Sequence, residues 1–97
     1  MRVSFNPEAE REFSEAARWY LDEVGVNQAR DFRNQVHRTL QLPREHPAVG
    51  TPGRNKTRSL LVHRYPYSVV YRIEADDLRI IAVARHSRRP GYWGGRR

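Results

Sequence analysis

The sequence contains no cysteine and a single methionine among its 97 residues. That absence excludes a disulfide framework, a thiolate zinc site, an iron–sulfur cluster and a cysteine nucleophile. No apolar run approaches the ~20 residues of a membrane span, and the opening MRVSFNPEAEREF lacks the long apolar core of a signal peptide. A soluble, cytoplasmic protein without membrane contact is therefore expected. Glycine and proline number only six each, and there is no repeat, linker or low-complexity tract, so residues 1–97 read as one domain. Acidic residues are nearly missing from the second half. Residues 1–45 carry seven arginines against eight carboxylates, and residues 46–97 carry eleven basic residues against three. All eleven except Lys56 are arginine, the forked donor suited to phosphate and carboxylate, which points to an acidic or polyanionic partner.

What is present reads as helices first and strands second. Val3 and Phe5 alternate with polar neighbours as a short strand. Asn6 is a helix cap, Pro7 fits the first helical position, and Glu8, Glu10 and Glu12 suit a helix N-terminus. Ala9, Phe13, Ala16, Ala17, Tyr20 and Val24 form one apolar stripe; Ala29, Phe32, Val36 and Leu40 form a second, stopping near Pro43 and Pro47. Gly25 ends the first helix and Asn27 caps the next, which predicts an antiparallel helix hairpin. Pro47–Asn55 reads as loop. Strands follow over Arg58–Val62, Tyr67–Glu74 and Leu78–Ala84, the last two joined by a turn at Ala75-Asp76-Asp77. Strict alternation would put Leu78, Ile80, Ala82 and Ala84 on one face and Arg79, Ile81, Val83 and Arg85 on the other. The order β-α-α-β-β-β predicts an α+β fold: a helix hairpin packed on an antiparallel sheet.

Conventional enzyme signatures fail. Gly50–Thr57 lacks the glycine that precedes a phosphate-loop lysine and leads into a strand rather than a helix. His37, His46, His63 and His86 have no ligand spacing, so neither metal nor cofactor is expected. The carboxylates Glu8, Glu10, Glu12, Glu15, Asp22 and Glu23 read as a solvated helix face. The chemistry that remains is C-terminal: Arg85, His86, Arg88, Arg89, Tyr92 and Trp93 can pair with phosphates, stack on bases or fill a partner's pocket. The same group could cleave RNA without metal, with His86 or Tyr92 moving protons and the arginines stabilising a phosphorane-like transition state.

The stretch HRYPYSVVYRIEADDLRIIAVARHSRRPGYW, from His63 to Trp93, resembles the RelE/ParE superfamily of toxins from bacterial type II toxin–antitoxin systems, and the ParE branch more than the RelE branch. The Ala-x-x-Trp-Tyr pattern from Ala16 to Tyr20 and the HPAVGTPG loop are also similar, so the resemblance spans essentially the whole chain. It implies a toxin neutralised by a cognate antitoxin with an acidic, amphipathic C-terminal segment, in a hetero-oligomeric complex. Phe13, Tyr20, Arg58 and Arg72 are the expected antitoxin contacts. The ParE branch implies DNA gyrase as the target, met through Arg85, His86, Arg88, Arg89, Tyr92 and Trp93. The RelE branch implies mRNA cleavage on the ribosome, for which Lys56, Arg85, His86 and Tyr92 would be the catalytic set. RelE-type sites usually carry basic residues on the middle strands, where this chain has Ser59, Leu60, Leu61 and Val62. That departure favours gyrase inhibition.

Overall fold

Asn6 starts the first helix and at the same time ties it to the sheet. Its Oδ1 accepts the Ala9 N–H at 2.7 Å, while its Nδ2 donates to the Ile81 carbonyl at 3.1 Å in a fully buried setting. The computed structural model describes residues 1–97 as five strands and two long helices. These are β1 (Arg2–Phe5), α1 (Pro7–Glu23), α2 (Val26–Glu45), β2 (Thr51–Pro52), β3 (Arg58–Leu61), β4 (Tyr67–Glu74) and β5 (Asp77–Arg85). The sheet order is β1-β5-β4-β3-β2. Strands β3, β4 and β5 form the expected antiparallel meander, β2 extends it antiparallel at one edge, and β1 joins β5 in parallel at the other, so the sheet is mixed.

The helix hairpin packs as the apolar stripes require. Phe32, Val36, Leu40, Ala9, Ala16 and Ala17 bury themselves against Val69, Tyr71, Leu78, Ile80 and Val83 of the sheet. A chain of rings runs through this layer, with Phe13 stacked on Phe5, edge-on to Phe32, and Phe32 in turn against Tyr20, Tyr65 and Tyr67. Each fully buried ring of this kind contributes roughly 1.5–3 kcal/mol of apolar transfer.

Three local expectations are corrected. Asn27 does not cap α2; Gly25 stands at that position with φ 139°, a backbone geometry that L side chains rarely adopt, so one glycine makes the whole interhelix corner. Helix α2 ends at Glu45, between the two prolines expected to stop it, with Pro43 buried inside its last turn. Thr51–Pro52, read as loop, pairs with Arg58 and Ser59 as a short edge strand. The buried Tyr71 hydroxyl holds the preceding loop, donating to the Pro47 carbonyl and accepting the Gly50 N–H.

The third correction concerns β5. Val70 pairs with Ala82 but Tyr71 pairs with Ile80, so Ile81 is an extra residue in the ladder. A bulge of one residue exchanges the faces of everything beyond it. Leu78 and Ile80 face the helices, but so does Val83, while Ile81, Ala82 and Ala84 join Val70 in a second apolar cluster on the opposite face. Tyr92 and Trp93 cover that cluster, giving the sheet a third, thin layer built from the C-terminal segment.

Candidate functional site

Beyond Phe5 the outer edge of β5 has no strand partner, and its backbone groups must be satisfied some other way. Asn6 and Arg96 both donate to the Ile81 carbonyl, and the Val83 N–H donates to Glu12 Oε1 at 3.1 Å. Glu12 thus faces inward at the edge of the bulge, and the tail closes over it. Arg96 grips its carboxylate with both terminal nitrogens at 2.9 and 3.1 Å, the Tyr92 hydroxyl donates at 2.6 Å, and Arg88 lies 3.5 Å away. The Glu12 side chain is 14% exposed and that of Arg96 15%, so this is a shielded cluster and not the solvated helix face expected. Spacing along α1 gave no sign of it, because the partners sit more than seventy residues away in the chain.

This cluster holds the C-terminal segment in place. Arg88 lies over the Tyr92 ring, 3.6 Å from its centroid, and Arg96 lies 5.1 Å from the same ring. Such cation–ring contacts are worth ~0.5–1 kcal/mol at exposed sites and more when shielded. Burial, reinforced by the hydrogen bond to Glu12, pushes the Tyr92 hydroxyl well above its ordinary range. It is a donor committed to a carboxylate. For Arg96 burial opposes the charge, but the hydrogen bond and attraction to Glu12 more than offset this and raise its pKa.

Arg85, His86, Arg88 and Tyr92 come together around one cleft of about 270 Å³, floored by Val70 and Ala84 and walled by Trp93. Ser59 and Ser68 open into it, and Ser68 Oγ lies 2.9 Å from His86 Nε2 in a hydrogen bond whose direction follows the ring tautomer. No carboxylate orients the imidazole in this cleft. Arg89 is exposed. Lys56 is elsewhere. It sits in the single 3₁₀ turn Arg54–Lys56 and lines a separate cleft with Pro47, Ala48, Arg58, Tyr71 and Ile73. Its neighbour Asn55 is bonded by Arg72, four residues along β4 from the Ser68 that meets His86, or roughly 13 Å of strand. The catalytic set named for a ribonuclease is therefore split between two ends of the sheet.

The residues expected to meet an antitoxin are also distributed. Phe13 and Tyr20 are half-buried in the ring network between the helices and the sheet. Arg58 donates to the Ala48 and Gly50 carbonyls, and Arg72 to that of Asn55, so both brace loops. A surface that the sequence reading passed over lies on the outer side of the helix hairpin. There a groove of about 530 Å³ runs between α1 and α2, with the exposed Leu21 and Val26 flanked by Arg18, Arg30 and Arg33. The signal was present in Leu21, Val24 and Val26, apolar residues clustered around the interhelix corner.

A sequence model of the ParE toxins of type II toxin–antitoxin systems, parDE, matches residues 3–90. The chain belongs to the ParE toxin family. The match includes both helices and, but for Arg2, all five strands, and stops at Pro90, so the Tyr92 and Arg96 partners of Glu12 lie beyond the matched segment. No curated protein matches the sequence. Among solved structures, a chain from the chromosomal ParDE toxin–antitoxin system of P. aeruginosa superimposes with a TM-score of 0.76 at 17% identity. The overlap covers 88% of this chain and 95% of that one. At that identity the likeness bears on fold, and it agrees with the helix hairpin on a mixed sheet. No helix of this ParE-family chain is long and apolar enough to cross a membrane.

Proposed function

We propose that this ParE-family chain acts on DNA gyrase as a non-enzymatic inhibitor and is neutralised by a cognate antitoxin. The observation that carries this reading is the arginine-rich segment from the end of β5 onward, tied down through Glu12 while Arg85, Arg88 and Arg89 remain exposed to a target. The ribonuclease reading has less support: Lys56 is remote from His86, and the Tyr92 hydroxyl is bonded to a carboxylate and hard to ionise. The proposed antitoxin contact is the groove between α1 and α2. An acidic amphipathic helix would set its apolar face on Leu21 and Val26 and its carboxylates on Arg30 and Arg33. Phe13 and Tyr20 back the hairpin that presents this groove.

The test is a supercoiling assay with purified gyrase. The chain is expected to inhibit supercoiling or trap cleaved DNA, and to leave ribosome-bound mRNA intact. Replacing both Arg88 and Arg89 with alanine is expected to abolish inhibition, since a charge-assisted contact is worth ~1.5–3 kcal/mol. The thermal midpoint should move little, because the Arg88 side chain is 53% exposed in its pairing with Glu12. Codon-specific mRNA cuts accompanied by normal supercoiling would overturn the proposal.

A further inference from the structure

Trp93 stands between two cationic clefts on the face of the sheet opposite the helices. One is the cleft of Arg85, His86 and Arg88 already described. The other, about 370 Å³, lies between the 3₁₀ turn and the tail, where Arg54 and Arg72 face Trp93 across a rim of glycines. Trp93 is the single aromatic side chain lining this second cleft, and it also walls the first. No carboxylate lines either of them, although Glu12 lies 3.5 Å from Arg88 and the Arg85 guanidinium also reaches the Trp19 ring of α1 at 6.0 Å. The outward guanidinium of Arg54 has no side-chain partner, whereas Arg72 is steadied by the Asn55 carbonyl and by Glu74 at 3.5 Å.

We infer that this face binds single-stranded nucleic acid, with a base against the Trp93 ring and the flanking phosphates on Arg54 and Arg72 at one end and Arg85 and Arg88 at the other. The ring favours a nucleic acid over an acidic peptide, because bases stack on an aromatic face and carboxylates gain nothing comparable. Trp93 is recessed between clefts, so the base must be splayed out to reach it. Paired and stacked bases present no free face, and this selects single strands over duplex. Arginine rather than lysine suits both halves of the task, since its planar fork pairs with phosphate and also stacks. The inference deepens the gyrase proposal and rests on it for its setting, an enzyme whose substrate is DNA.

The experiment uses the full chain, no gyrase, and a fluorescein-labelled oligothymidylate followed by anisotropy. Binding through three or four phosphate contacts predicts a log–log salt slope of about −2 to −3, or roughly 20- to 50-fold weaker binding at 200 than at 50 mM salt. In a Trp19→Phe background, where Trp93 is the only indole, the unlabelled oligonucleotide is expected to quench the fluorescence. Arg54→Glu is expected to weaken binding at least tenfold while folding normally, because that side chain is exposed and only its backbone is engaged. Equal affinity for a duplex of the same length, equal competition by polyglutamate of matched charge, unchanged Trp93 fluorescence or an unaffected Arg54→Glu would each overturn the inference. A supercoiling assay run in parallel separates the two proposals: gyrase inhibition without oligonucleotide binding refutes only this one.

Discussion

Replacing Glu12 with alanine removes one carboxylate and leaves four groups without it, of which the exposed Arg88 loses least. The Val83 N–H at the strand edge loses its acceptor, the Tyr92 hydroxyl loses a 2.6 Å bond, and Arg96, at 15% exposure, becomes an uncompensated cation. Breaking a shielded ion pair from one side costs ~3–5 kcal/mol. A lost partner for a buried neutral donor costs another ~1–3 kcal/mol. These losses do not simply add, because the tail can peel away and return Arg96 and Tyr92 to water. Peeling in turn exposes the second apolar cluster under Tyr92 and Trp93, so release is itself unfavourable. The expected net loss is about 3 kcal/mol, a large fraction of the ~5–15 kcal/mol that holds a domain together. For a domain of this size it lowers the thermal midpoint by roughly 12–24 °C. Glu12→Gln keeps an oxygen for Val83 and should lose about half as much. Glu10→Ala, on the exposed face of the same helix, is the control and should stay within ~0.5 kcal/mol. Urea unfolding of the three variants measures these values, and a double-mutant cycle with Arg96→Ala isolates the pair. If Glu12→Ala unfolds with the control, Glu12 is a solvated surface group after all and the account of the tail fails.

Two further predictions concern the turn and the tyrosines. Ala75 holds φ 53° in the tight turn between β4 and β5, a left-handed geometry that costs an L residue roughly 1–2 kcal/mol; allowing for the added freedom of glycine in the unfolded chain, Ala75→Gly should gain ~0.5–1 kcal/mol, and an unchanged or lower urea midpoint would show that the turn is not strained. Tyr65, buried and donating to Asp31 at 2.6 Å, is pushed up to about 12, and Tyr92 is also raised. Folded-state values above the unfolded ~10 mean that this stabilisation is complete below pH ~10 and is lost as pH rises through the folded values. Stability should therefore fall between about pH 10 and 12, with tyrosinate absorbance rising late in the native protein; a flat profile there, or no change on Tyr65→Phe, would refute the assignment.

The sequence by itself determined the elements whose physics is local. The Asn6–Pro7 start of α1, the two apolar stripes, the glycine corner at Gly25 and the alternation over Tyr67–Glu74 depend on neighbours within one or two turns, and each stands where its residues put it. The weight of positive charge in the second half and the motifs shared with the ParE branch were legible for the same reason. Tertiary structure decided the rest. A single extra residue at Ile81 turned Val83 toward the helices and Ala82 and Ala84 toward the tail, and no residue type in β5 announces a bulge. It also decided which carboxylate mattered. Glu8, Glu10, Glu12 and Glu15 look alike along α1, and only the uncovered edge of β5, with an orphan N–H and an arginine returning from the C-terminus, makes Glu12 different. Capping and periodicity are short-range forces written into adjacent residues; the satisfaction of a buried backbone group depends on what the rest of the chain leaves unpaired, and that is settled only when distant segments meet.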